Sequence, residues 1–181
     1  TYTSMARNKR MNRKAEFLYL NTETFSMFDF LMGGTYPKEK LDESWKVILL
    51  NQFHDIIPGS SIEAVYKDSK AQYENLLADG KEMYRHALNG IAGRIQTKEN
   101  GFAVFNPTSC VADNLVEVEY EGNLSAVKDS SGNMVPVQCV GENTYLFHAD
   151  SVPSKGYKMY YPAEINEEKS WAAVVSEEGG Y

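Results

Sequence analysis

The spacing of apolar residues changes once along this chain, and that change limits what each part can fold into. Up to about residue 97, apolar side chains recur at steps of three and four; beyond it they alternate in steps of two. The first period buries one face of a helix and the second buries one face of a strand. Neither part can take the other's structure without exposing its apolar set. The sequence therefore predicts an α+β chain, with an antiparallel three-helix bundle over 1–97, a linker over 98–101 and an antiparallel β-sandwich-like region over 102–181.

Within the helical part, Met11, Ala15, Leu18, Thr22, Phe25, Asp29 and Met32 define a first stripe that stops at Gly33-Gly34. A second helix is predicted from Leu41 to Phe53, with Trp45, Ile48, Leu49 and Gln52 on one face. The third is expected to start at Ser60, three residues before Glu63, as a capping box would. Behind it Ile62, Tyr66, Ser69, Tyr73, Leu76, Gly80, Met83 and Ala87 keep helical spacing, extended by Ile91 and Ile95. Short connections make successive helices antiparallel. The polar linker "TKENG" follows. Five strand candidates come after it: "FAVFN" (102–106), "LVEVEY" (115–120), "VPVQCV" (135–140), "TYLFHA" (144–149) and "GYKMYY" (156–161). "DSSGN" (129–133) reads as a hairpin turn, and "WAAVV" near the end as a further strand whose partners lie beyond this chain. The chain opens at Thr1 inside what reads as a continuous helix, so it is expected to be a fragment of a larger polypeptide, with its β region incomplete.

The net charge of −7 argues against binding a nucleic-acid backbone. The one basic stretch, "MARNKRMNRK", reads as a solvated helix face. No apolar run approaches the roughly 18 residues that a membrane-spanning helix needs. Cys110 and Cys139 match no metal or redox spacing. Two buried thiols are expected, with a disulfide between facing strands as the alternative. With the lone sequon at Asn123, this points to the cytoplasm.

One stretch is not explained by folding alone. "LLNQFHDIIPGSS" (49–61) puts one of only three histidines, followed by an aspartate, where a helix ends and the chain must turn. A helix C-terminus favours a protonated imidazole, so a capping role bonded to carbonyls or to Asp55 is one reading of His54. Metal ligation is the other. A catalytic zinc needs about three protein ligands and an open position. His86 and His148 are distant in sequence and no His-x-x-x-His or His-x-His occurs, so co-ligands of His54 would have to come from outside this chain. Ser60 and Ser61 read as cap and turn, and Pro58-Gly59 as turn chemistry.

The stretch "WKVILLNQFHDIIPGSSIEAVYKD" resembles the helical middle domain of glycoside hydrolase family 38, the zinc-dependent α-mannosidases. Trp45, Asn51, Gln52, Phe53, His54, Asp55, Pro58, Gly59, Ser60 and Ser61 are all in register with it. "TYTSMARNKRMNRKAEFLY" resembles the segment by which the family's barrel enters that domain, with Met5-Ala6 where Arg-Pro or Arg-Ala is usual. "FAVFNPTS", "GNMVPVQ" and "VPSKGYKMYY" resemble the opening strands of its C-terminal β region. The resemblance weakens after about residue 162. It implies that His54 is a zinc ligand and that Asp55 contacts mannose hydroxyls, or else orients His54. It implies a retaining mechanism on terminal α-mannosides. The remaining zinc ligands, the nucleophile and the acid/base would belong to an N-terminal barrel, and none of those motifs occurs here. No catalytic residue is therefore assigned in this chain, and the isolated fragment is expected to be inactive. Two other readings stay open. One is a stand-alone carbohydrate-binding module using Tyr145, Tyr157, Tyr160 and Tyr161; the other is a purely structural unit.

Overall fold

The computed structural model describes residues 4–97 and 99–164. It divides into two compact units, Thr1–Gln96 and Thr97–Tyr181. The first holds three helices, α1 (Ala6–Leu31), α2 (Lys38–Asn51) and α3 (Glu63–Ala92). Contacts fix their directions. Ser69 pairs with Asn8, Tyr73 with Asn12 and Arg94 with Asp29, so α1 and α3 run the same way. α2 runs against both, with Trp45 bonded to Glu23 and Gln52 to Asn12. Two short loops produce this up-down-up order, and the parallel pair α1–α3 forms its main interface. The core there joins Ala15, Tyr19, Leu41, Ile48, Tyr73, Leu76 and Met83.

The predicted stripe of α3 is the observed one from Tyr66 to Ile91. That of α1 differs. Its buried side is Asn8, Asn12, Ala15, Tyr19, Thr22, Phe25, Ser26 and Asp29, five of the eight polar, whereas Leu31 and Met32 are exposed. Most of the polar residues there meet a partner: Asn12 Oδ1 accepts from both Tyr73 and Gln52, and Thr22 donates to Leu18 O. On α2 the buried positions are Leu41, Ile48 and Asn51, and Leu49 faces out. The capping box is not formed. α3 begins at Glu63 with no side-chain cap, and the Ser60 and Ser61 hydroxyls turn back to Asp55 O instead.

The second unit contains β1 (Phe102–Asn106), β2 (Ala112–Glu119), β3 (Ala126–Asp129), β4 (Met134–Gly141), β5 (Thr144–Val152) and β6 (Gly156–Ala163). They form one antiparallel sheet in the order β1-β6-β3-β4-β5-β2. Although β1 and β2 lie at opposite ends of that order, Phe102, Val104, Val116 and Val118 join a single core with Phe147 and Tyr160. The sheet thus folds over on itself in a sandwich-like way. β3 was missed by the alternation rule, since a four-residue strand buried at both Ala126 and Val127 shows no alternation.

Two expectations about exposure are corrected. Cys110 and Cys139 are both exposed free thiols, because Cys110 lies in the loop before β2 and Cys139 on an outward position of β4. Tyr145 and Tyr160 are core residues rather than surface aromatics, which removes half of the tyrosines proposed for a sugar-binding platform. The predicted strand "WAAVV" lies outside the described residues.

Candidate functional site

α2 ends at Asn51 with Gln52 as its C-cap, so His54 stands two residues past the helix. The next eight residues form a chain of turns, tied by Ile56 N to Phe53 O (2.8 Å), Ile57 N to Phe53 O (3.0 Å) and Gly59 N to Ile56 O (3.2 Å). The loop is braced from every side. Gln52 Nε2 donates to Asn12 Oδ1 at 3.1 Å and Glu16 Oε1 at 2.8 Å on α1. The Tyr66 hydroxyl on α3 donates to Ile56 O at 3.0 Å and accepts from Ser61 N at 3.1 Å. Lys9 Nζ bridges Ser4 O at 2.6 Å and Pro58 O at 3.2 Å. Asn51 Nδ2 ties the helix end to Val47 O and Gln72 Oε1. Burial pushes the Tyr73 hydroxyl pKa up, with the Glu16 charge adding to it, so Tyr73 stays a neutral donor to Asn12.

The His54–Asp55 pair stands out from this braced loop. Their side chains are 78% and 63% exposed, with His54 Nε2 3.5 Å from Asp55 Oδ2. The imidazole ring rests on Phe53, with centroids 4.2 Å apart. The backbone of Asp55 is the anchored part, its carbonyl accepting from Ser61 Oγ at 2.5 Å, while its carboxylate faces outward. Of the two partners the helix-end reading offers His54, the Asp55 carboxylate is the one found beside it, while the loop carbonyls of Asp55, Ile56 and Pro58 are engaged by the two serines, Tyr66 and Lys9. Leu49, Leu50, Phe53 and Ile62 are exposed beside or near the pair in sequence, an unusual apolar density around two polar groups.

His86 on α3 and His148 on β5 are both exposed. Among the described residues no three of His, Cys, Asp or Glu gather as metal ligands. The loop's donor set therefore suits one place in a shared metal site, an accessible imidazole beside a carboxylate, and does not amount to a closed site by itself. Sequence reasoning missed the residues that hold the pair out: Lys9, Asn12, Glu16 and Tyr66 lie 12 to 45 residues from His54. Their one legible signal is polarity on the buried side of α1, at Asn8 and Asn12.

Residues 1–91 match the family model described as the alpha mannosidase middle domain. Alpha-mannosidase G of Dictyostelium discoideum is 34% identical over 100 residues, which cover 55% of this chain and 9% of that protein. Alpha-mannosidase 2C1 of Homo sapiens is 33% identical over 85 residues, 46% of this chain and 8% of that protein. Among solved structures, a protein in the glycosyl hydrolase family 38 from Enterococcus faecalis superposes with a TM-score of 0.71 at 19% identity, covering 89% of this chain and 25% of that one. These matches thus span less than a tenth of the curated relatives and about a quarter of the solved chain.

Proposed function

The chain belongs to the α-mannosidase middle-domain family, and from that premise we propose that its helical unit supplies one wall of a zinc-dependent mannosidase active site. In this reading His54 is a zinc ligand and Asp55 accepts hydrogen bonds from hydroxyls of the mannose ring. The other zinc ligands, the nucleophile and the acid/base belong to a catalytic barrel of the same polypeptide outside this chain. The reaction is hydrolysis of terminal α-mannosides with retention, which requires two carboxylates about 5 Å apart, one as nucleophile and one as acid/base.

The exposed His54–Asp55 pair on a loop braced by both neighbouring helices carries this reading. An imidazole fixed in place yet bonded to no carbonyl costs little to reorganise when it becomes a ligand. A bound zinc would supply Lewis-acid attraction for substrate hydroxyls. This chain's part is positional. Ser61 and Tyr66 hold the loop backbone so that the Asp55 carboxylate is left free for a ligand. The exposed Leu49, Leu50 and Phe53 suit a neighbouring surface that would cover them and exclude water from the pair.

The test uses the parent protein with its catalytic region, assayed on an aryl α-mannoside with zinc content measured alongside. His54→Ala should lose both metal and activity. Asp55→Asn should retain zinc but drop in kcat/KM by roughly 10- to 100-fold, the worth of a charged hydrogen bond of about 1.5–3 kcal/mol. A His54→Ala variant that keeps full zinc and full activity would sink the proposal.

A further inference from the structure

A second concave site lies at the other end of the helical bundle. It is a cavity of about 440 Å³, a size suited to a small organic ligand. Lys40 enters it from the first turn of α2, and Arg85, His86 and Asn89 enter it from α3. α2 has 14 residues, so the cavity sits roughly 17 Å along the helix from Asn51 and the His54 loop.

Three observations converge on an anion. First, Lys40, Arg85 and His86 are left without acidic partners. Lys38 and Lys46 on α2, and Lys67 and Lys70 on α3, each pair with an acid three or four residues away. No ion pair engages Lys40, Arg85 or His86 among the described residues. Second, α2 begins beside the cavity at Pro37 with no side-chain cap; the Lys38 amide is taken by Tyr36 O and Glu39 offsets part of the dipole, so the amides of Glu39 and Lys40 are what this end offers an anion. Third, Ser26 lines the same cavity from α1, is only 2% exposed, and its Oγ has no hydrogen-bond partner. A buried hydroxyl left unpaired is unfavourable, and a bound acceptor would relieve it.

Glu82 is the one acid in the lining, and it shapes the ligand. It repels a second anionic group and accepts from a hydroxyl. Met83 and Pro37 add apolar surface for a carbon skeleton. We propose that this cavity binds a small phosphate monoester of a polyol or sugar. The phosphate lies against Lys40, Arg85 and the start of α2, and a hydroxyl of the ligand donates to Glu82. The site is independent of the His54 reading, and its test touches no residue of that loop.

The experiment is an NMR titration of the ¹⁵N-labelled protein at low salt with glucose 6-phosphate, glycerol 3-phosphate, inorganic phosphate and glucose. The two esters should give saturating shifts at the amides of Ser26, Lys40 and Asn89, inorganic phosphate a weaker response and glucose none. Lys40→Gln and Arg85→Gln should each weaken ester binding by about tenfold or more, as loss of a charged hydrogen bond does. Ser26→Ala should weaken it by about threefold with the spectrum otherwise intact. Lys46→Gln, on the same helix but outside the cavity, should change nothing. The proposal is overturned if neither ester saturates by about 20 mM, well above the weakest useful affinities. It is also overturned if inorganic phosphate binds as tightly as the esters, or if Lys46→Gln costs as much as Lys40→Gln.

Discussion

Gly59 holds φ at 96° in the turn after the His-Asp pair, and a Cβ built there would stand 2.8 Å from Ser4 Cβ. An L side chain is disfavoured by that φ and finds backbone in its way. Gly59→Ala should therefore destabilise the helical unit by about 1–3 kcal/mol, read as a lower urea midpoint. Tyr66→Phe removes one hydroxyl that serves both Ile56 O and Ser61 N. It should cost about 1–2 kcal/mol and loosen the loop, seen as faster amide exchange at Ser61. The His54–Asp55 pair stands out in the sequence through its resemblance to the family's Gln-Phe-His-Asp motif, since a histidine at a helix end has a structural reading as well. The role of the serines was not. A Ser three residues before a Glu satisfies the capping pattern, but here the turn at Gly59 aims both hydroxyls back at Asp55 O.

At the level of elements, legibility followed the chemistry of each buried face. α3 was read from Tyr66 to Ile91 because its buried positions are mostly apolar, aromatic or small over eight consecutive steps. α1 was misread in part: Thr22 and Asp29 were placed on its stripe, but its inward side also carries Asn8, Asn12 and Ser26, which a rule based on hydrophobicity assigns to solvent. The burial of Asn8, Asn12 and Asp29 depends on partners 40 to 65 residues away, which no local window contains. That dependence predicts a large effect at one atom. Asn12 Oδ1 accepts from Tyr73 and Gln52 together, so Asn12→Ala leaves the buried Tyr73 hydroxyl without its acceptor, while Gln52 keeps its second bond, to Glu16. The expected loss is about 2–4 kcal/mol in equilibrium unfolding, more than the Asn side chain's own burial would suggest. An unchanged midpoint would mean that water replaces the amide at no cost.

The molecule as a whole carries a net charge of −7, yet its acid sensitivity should be concentrated in the β unit, at Asp129 first and also at Asp150, whose carboxyl Lys158 lowers. Burial raises the Asp129 pKa, but this is outweighed by hydrogen bonds from the Asn133 side chain and amide, the Ser131 amide and Lys158. The carboxyl falls from 3.8 to about 2. A carboxyl lowered on folding stabilises the fold above its unfolded pKa, and that contribution is lost as pH falls through the folded one. The β unit should accordingly lose about 2 kcal/mol between pH 4 and pH 2. Asp129→Asn should flatten that slope when unfolding is followed by tyrosine fluorescence. Metal should behave in the opposite manner, with no visible effect on this chain. One accessible imidazole with a single carboxylate beside it makes a weak site. A ligand stabilises a fold by RT ln(1 + [L]/Kd), so about 0.1 mM zinc on a millimolar site contributes less than about 0.1 kcal/mol. Zinc or chelator should thus leave the Tm of these 181 residues unmoved, while the parent protein loses mannosidase activity on chelation. A tight one-to-one zinc complex with this chain would mean that the His54 loop builds its site alone, and the shared active site would have to be given up.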